Sequence, residues 1–113
     1  MPQFLIAIHR HHRPAEPIAT DATESQDIDD LNDAMVAAGV RVFVGGLQSP
    51  SNAVSITRLR DGSRVESNGH HIQAEEYVNG FWVLNVPSLE AAMDWGRQAA
   101  QACRASVEVR PFY

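Results

Sequence analysis

The stretch Gly80-Phe-Trp-Val-Leu-Asn-Val86 predicts a β-strand with apolar side chains on both of its faces. A strand of this kind must be covered from both sides. The chain contains two amphipathic helical patterns, which begin near Thr23 and Ser88. Two helices cover one face of a sheet, so the second face needs cover from another molecule. The sequence therefore predicts a homodimer in which two sheets pack face to face.

Shorter alternating patterns predict the remaining strands. These strands are expected at Phe4–His9, 40–45, 54–59 and 106–110, with an Asp61-Gly62 hairpin turn after the third and an irregular connection over 68–79. The order of elements is β-α-β, an added hairpin, and β-α-β. This order predicts an α+β fold, a ferredoxin-like antiparallel sheet with both helices on one face, in a single domain over residues 1–113.

Both helices have recognisable ends. Thr23 followed by Gln26 is a capping-box arrangement, and Gly39 is typical of a helix C-terminus. Ser88 is the expected N-cap of the second helix. Cys103 falls on the apolar stripe of that helix, which predicts a buried packing role.

Composition excludes several classes of protein. The chain of 113 residues has a net charge of −5, and its nine basic residues are scattered arginines, so no basic surface for nucleic acid is expected. Lysine is absent, which removes Schiff-base chemistry. A single cysteine favours a reducing compartment, and the apolar N-terminal segment is expected to be a first strand and not a signal peptide. No apolar run is long enough to span a membrane, so the expected location is the cytoplasm.

The sheet face without helices is expected to be partly apolar and partly polar. Val42, Val44, Val107 and Val109 are assigned to the helix side, which leaves His9, Arg41, Phe43, Thr57, Glu108 and Arg110 on the other face. The two-faced strand adds either Trp82, Leu84 and Val86 or Phe81 and Val83. Exposing such side chains costs several kcal/mol at about 25 cal/mol per Å². A dimer would bury them and enclose a pocket.

Five segments, in this order and spacing, resemble the YCII-related superfamily, and within it the branch named for an Asp-Gly-Pro-Phe motif. They are Ala38 to Pro50, Asp61-Gly through Asn68-Gly69, Gly80-Phe-Trp-Val-Leu, Ser88 to Trp95, and Val107-Glu-Val-Arg-Pro111. The resemblance implies a ferredoxin-like fold that assembles into a dimeric α+β barrel with an enzyme-like pocket. Residues 68–71 depart from the motif: they are Asn-Gly-His-His, so the acidic residue and the Pro-Phe pair are missing.

Histidines are the candidates for acid/base chemistry, because an imidazole can donate or accept a proton near neutral pH. His9 is expected on the face enclosed by the dimer. His70 and His71 follow an Asn-Gly turn, and Glu75 or Glu76 can orient one of their rings. The proposed catalytic residues are therefore His9, His70, His71 and Glu76. The alternative is that none of them is catalytic: His9 is then a histidine at the end of a strand, and His70 and His71 lie in an exposed polar loop.

Two further sets of residues are candidates for binding. Arg41 and Arg110 can grip a carboxylate if both lie on the open face, although pairing with Glu108 is the alternative. His9 and His11, joined by His70 or His71, can hold a transition metal, but no cysteine pair or spaced carboxylate accompanies them.

Three hypotheses follow for the function. The first is a cofactor-free, dimeric protein that performs proton transfer on a small polar or aromatic molecule. The second is a non-catalytic ligand-binding or regulatory module. The third is a histidine-rich metal-binding variant. The sequence leaves open whether the protein is an enzyme.

Overall fold

The computed structural model describes residues 1–12 and 22–113, and this part of the chain contains two α-helices and six strands. The elements are β1 (Gln3–His11), α1 (Ala22–Ala37), β2 (Arg41–Gly46), β3 (Val54–Arg58), β4 (Arg64–Asn68), β5 (Glu76–Asn85), α2 (Leu89–Cys103) and β6 (Ser106–Pro111). Of the helices described, none combines the length and the apolar character needed to cross a membrane.

The strands form two separate sheets. The main sheet has the order β2-β5-β1-β6, and every neighbouring pair is antiparallel. Strands β3 and β4 form an antiparallel hairpin of their own. The fold is therefore α+β, with a strand order compatible with a ferredoxin-like fold. Thr57 lies in the hairpin, so its predicted place on the open face of the main sheet is wrong.

The core lies between the main sheet and the two helices. Its buried members from the sheet are Phe4, Ile6, Ile8, Trp82 and Leu84, and those from the helices include Leu31, Met35, Ala92, Ala99 and Cys103. Small residues on α2 bring that helix close to the sheet. A Cβ on Gly96 would lie 2.7 Å from Cγ2 of Val109, so only glycine fits there without a shift.

The helix ends confirm two of the three predicted caps. Ser88 accepts a hydrogen bond from the Ala91 amide at 3.1 Å, as an N-cap should. Gly39 has φ of +70°, and the amides of Gly39 and Val40 donate to carbonyls of the last turn of α1. The prediction for Thr23 is wrong: α1 begins at Ala22, and the Thr23 hydroxyl accepts a hydrogen bond from Arg104 at 3.0 Å.

A β-bulge in β2 overturns the predicted alternation of that strand. Pairing shifts between Arg41 and Phe43, so Val42 is the extra residue; it is 49% exposed and lies outside the core. Arg41 pairs with Leu84, which faces the helices, and its Nη1 donates to Oδ1 of Asn32 on α1 at 3.3 Å. The predictions that Val42 faces the helices and that Arg41 lies on the open face are both wrong.

Strand β5 is longer than predicted. It begins at Glu76, whereas residues 76–79 were expected in an irregular connection. These residues extend the strand because they pair with the end of β1, where Val78, Tyr77 and Glu76 lie opposite His9, Arg10 and His11. Asn79 is the extra residue of a second bulge in this pairing.

The other face of the main sheet, here called the open face, has no cover from any described element. Its apolar side chains include Leu5, Ala7, Phe43, Phe81 and Val83, which follow from strand alternation and register. Phe43 is 53% exposed, and its ring centroid lies 5.7 Å from that of Phe81. Of the two alternatives left by the sequence, Phe81 and Val83 are the ones on the open face, and Trp82 and Leu84 are in the core.

Candidate functional site

The end of β1 presents a group of acid/base side chains on the open face, here called the β1 cluster: His9, His11 and Glu76. Both histidines share this face because they are two residues apart on one strand. His11 lies opposite Glu76 on β5, and its Nε2 is 3.2 Å from the Glu76 carboxylate. His9 lies opposite Val78 on one side and Ser106 on the other.

The contact between His11 and Glu76 gives this cluster a defined chemistry. A carboxylate beside one ring nitrogen orients the imidazole and favours a proton on that nitrogen. Nδ1 of His11 is then the nitrogen left to accept or donate a proton. His9 adds a second imidazole on the same strand face, about 7 Å away at the usual rise of an extended chain.

The predicted partner of Glu76 is wrong. The sequence offered Glu75 or Glu76 as the carboxylate beside His70 or His71. Glu76 contacts His11 instead, and Glu75 lines the same cleft as His70. The reason is the added length of β5, which fixes Glu76 in register with β1. His70 and His71 precede this strand and lie outside the pairing.

A second group of rings lines an open cleft of about 460 Å³ beside the same strand end, here called the ring cleft. Its lining residues are His12, His70, Gln73, Ala74 and Glu75. The rings of His12 and His70 are stacked at 4.9 Å, and the Tyr77 ring lies 4.7 Å from that of His12. The His12 amide donates to the Glu75 carbonyl at 2.9 Å, which anchors the loop to the end of β1.

His70 and His71 are neighbours in sequence but lie in different surroundings. The His71 ring is exposed, and its Nδ1 is 3.3 Å from the Thr57 hydroxyl on β3. Gly69 makes the turn before them with φ of +95°, and its amide donates to the Ala53 carbonyl at 2.7 Å. His70 therefore belongs to the ring cleft, whereas His71 lies against β3 of the hairpin.

The two predicted ligand-binding arginines do not share a surface. Arg110 lies on the open face opposite Leu5 and forms an ion pair with Glu108, the partner that the sequence offered as the alternative. Arg41 is directed to α1 through the bulge in β2. The prediction that these two side chains bind one carboxylate together is therefore wrong.

Metal binding has no preformed site in the described part of the chain. Residues 1–12 and 22–113 contain no group of three or more His, Cys, Asp or Glu side chains placed to hold a metal ion. Of the histidines proposed for this role, His11 contacts Glu76, His70 stacks on His12 and His71 contacts Thr57.

Cys103 is buried, as predicted. It lines a partly open pocket of about 160 Å³ between α1 and the main sheet, together with Arg10, Asn32 and Trp82. Burial raises the pKa of the Cys103 thiol, and the positive charges of Arg10 and Arg104 offset part of that rise. The thiol is therefore a packing group and a poor nucleophile at neutral pH.

Three residues of the β1 cluster and the ring cleft were not predicted from the sequence to belong to them. His11 was considered only as a metal ligand, and His12 and Tyr77 were not assigned to any site. The available signal was the doublet His11-His12, which matches the doublet His70-His71. The contact between His12 and His70 joins positions 58 residues apart, and no local pattern specifies such a pairing.

The comparisons with known proteins add no relative to this picture. No family model matches the sequence, and no curated protein matches it. The resemblance to the YCII-related superfamily therefore rests on the five segments quoted above, and the candidate sites rest on their own geometry.

Proposed function

We propose that this chain is a YCII-related, cytoplasmic protein that forms a homodimer through its open face. The dimer is an α+β barrel whose inter-sheet space takes a small polar or aromatic molecule and performs cofactor-free proton transfer on it. The observation that carries this proposal is the contact between His11 and Glu76 beside His9, on a sheet face that no described element covers.

The apolar part of the open face supports the dimer. Full burial of a large apolar side chain contributes about 1.5–3 kcal/mol. Phe43, Phe81 and Val83 lie together there, and a facing copy would double their contribution. Two copies related by a twofold axis present the same face to each other, so one surface serves both chains.

Each member of the β1 cluster has a distinct role in this proposal. His11 is the general base, oriented by Glu76, and His9 is the second group that donates or accepts the proton. The rings of Phe43 and Phe81 form the apolar wall of the pocket. Arg110 lies opposite Leu5, four residues from His9, so within one chain it is roughly 14 Å from the cluster and too far to share a small substrate.

Proton exchange in D2O tests this function with a panel of small carbonyl compounds, so the natural substrate need not be identified first. We expect the protein to accelerate loss of the C–H signal, followed by NMR, at carbons next to the carbonyl in at least one class of compound. His11→Ala and Glu76→Gln should lose most of this acceleration. His71→Ala is the control and should retain it. Exchange at the uncatalysed rate across the panel, or full activity in His11→Ala, would contradict the proposal.

The ring cleft favours a second candidate function, a non-catalytic ligand-binding module. The His12 and His70 rings offer a stacking surface in a cleft that Glu75 also lines, and no carboxylate in the described residues forms an ion pair with either ring. This function predicts a planar ligand that raises the melting temperature while no product forms. His12→Ala and His70→Ala should abolish the shift, and His9→Ala should leave it unchanged.

A further inference from the structure

The β3–β4 hairpin presents one face that nothing in the described chain covers. The register places Val54, Ile56 and Arg58 on this face, directly opposite Asn68, Glu66 and Arg64, and we call these six residues the hairpin face. Val54 is 68% exposed and Ile56 is 62% exposed. A two-stranded hairpin alone is marginally stable in water, so exposed apolar residues on it indicate a surface that packs on a partner.

The far end of the hairpin face is positively charged. Arg58 and Arg64 are directly opposed, an arrangement in which like charges destabilise the strand pair, and Arg60 follows in the turn. None of these three arginines forms an ion pair with a carboxylate within residues 1–12 and 22–113. The nearest acid in the turn, Asp61, accepts hydrogen bonds from the amide and the hydroxyl of Ser63. The arginines are therefore available to an acidic partner.

Helix α1 carries the complementary surface. It has five carboxylates and no basic residue. Glu24 and Asp27 pair with Arg10 and Arg104, whereas Asp29 and Asp33 have no ion pair with a described residue. Asp29, Asp33 and the exposed Val36 are spaced i, i+4 and i+7, so they form one stripe on the solvent side of the helix, here called the α1 stripe.

The two surfaces match in spacing as well as in charge. On the hairpin, Arg58 lies about 6.8 Å beyond Ile56. On the helix, Asp33 and Asp29 lie about 4.5 and 10.5 Å from Val36 along the axis. With Ile56 packed on Val36, the paired guanidinium groups of Arg58 and Arg64 fall between the two carboxylates.

We propose that the hairpin face docks on the α1 stripe of a second copy of this chain. Within one chain the two elements do not pack on each other. Every copy carries both surfaces, so two copies related by a twofold axis make the contact twice, and this closed pair is the form that we propose. This contact uses neither the open face nor the β1 cluster, so it is separate from the contact proposed for the facing sheets.

Charge reversal with mixing tests the contact. Each of the variants Arg58→Glu/Arg64→Glu and Asp29→Arg/Asp33→Arg should weaken this second association, the step beyond the open-face dimer, at least about tenfold in sedimentation velocity at low salt, since each places like charges in both reciprocal contacts. An equimolar mixture of the two variants should associate again, because the Glu hairpin meets the Arg helix and the Arg hairpin meets the Asp helix.

The control for this mixture is Arg97→Glu, which changes charge on α2 and leaves both surfaces intact. It should pair with other copies of itself, so mixing it with Asp29→Arg/Asp33→Arg should leave that double variant as dissociated as it is alone. Wild-type association in either double variant, or a mixture that stays dissociated, would overturn the proposal. Circular dichroism of each variant establishes that it is folded, and all four substituted positions are exposed.

A cross-link measures the same contact directly. Under mild oxidation, Ile56→Cys mixed with Val36→Cys should give a disulfide between copies faster than Ser67→Cys mixed with Val36→Cys, because Ser67 lies on the opposite face of the hairpin. Equal disulfide rates for the two mixtures would mean that the hairpin face does not lie on the α1 stripe of a second copy, and this would contradict the proposed docking. Cys103 is buried and is present in all of these proteins.

Discussion

The two faces of strand β5 differ in cover much more than in composition. On β5, Trp82 and Leu84 are buried under the helices, whereas their neighbours Phe81 and Val83 point to the open face and are only partly buried. The same strand thus contributes to a finished core on one side and to an uncovered apolar surface on the other. Within the described residues, the helices therefore cover one face of the main sheet and leave apolar side chains partly exposed on the other.

Removal of the Trp82 side chain should have the largest effect on stability, because it leaves a cavity in the core between the main sheet and the helices. Trp82 is buried, and its Nε1–H donates to Oδ1 of Asn32 at 2.9 Å. Trp82→Ala should lower the free energy of unfolding by about 3–5 kcal/mol in a denaturant titration. Phe81→Ala, its neighbour on the open face, should cost less than half as much at low protein concentration. Equal losses would mean that the two faces are equally covered.

A methyl group at Gly80 should have the next largest effect. A Cβ at this position would lie 2.7 Å from the Gly45 carbonyl oxygen, so β2 and β5 would have to separate. Gly80→Ala should cost about 1–3 kcal/mol of unfolding free energy. Gly46→Ala is the matched control on the facing strand, where a Cβ meets nothing within 4 Å. A control as destabilised as Gly80→Ala would contradict the close approach of these strands.

A charge on the open face should change association and leave the chain's own stability nearly unaltered. We expect the melting temperature of the wild-type protein to rise with protein concentration, as it does for a dimer. In the Arg58→Glu/Arg64→Glu background, which lacks the hairpin contact, Phe43→Asp should abolish that rise while changing the unfolding free energy of the single chain by only about 0.5 kcal/mol. Val42→Asp is the control, since Val42 is similarly exposed but is the bulge residue. Loss of the rise in both variants would point to a non-specific effect of charge.

The smallest effect on stability, and the sharpest contrast between the faces, is expected from thiol labelling. Burial raises the pKa of Cys103, so its reaction with an aromatic disulfide reagent should be slow at neutral pH and should quicken on unfolding or at higher pH. Val83→Cys in a Cys103→Ser background should react quickly in dilute protein and more slowly as protein concentration rises. Labelling of Val83→Cys that is independent of concentration would argue against a covered open face.

The sequence predicted the types and order of the elements well, because each depends on local patterns. The alternation around Trp82, the Ser88 cap and the Asp61-Gly62 turn are all readable within a few residues. The bulge at Val42 cannot be predicted in this way, since the extra residue moves Arg41 to the other face of the sheet without changing the local sequence pattern. The contacts of Glu76 with His11 and of His70 with His12 join distant segments, so they became visible only with the register of β5 against β1.

Sedimentation of the Arg58→Glu/Arg64→Glu variant tests the central claim most directly, because this variant removes the hairpin contact and leaves only the open face. We predict a species of twice the 12.4 kDa mass of the chain at micromolar concentration. A well-folded species with the mass of a single chain would contradict the claim that the open face of one copy covers that of another.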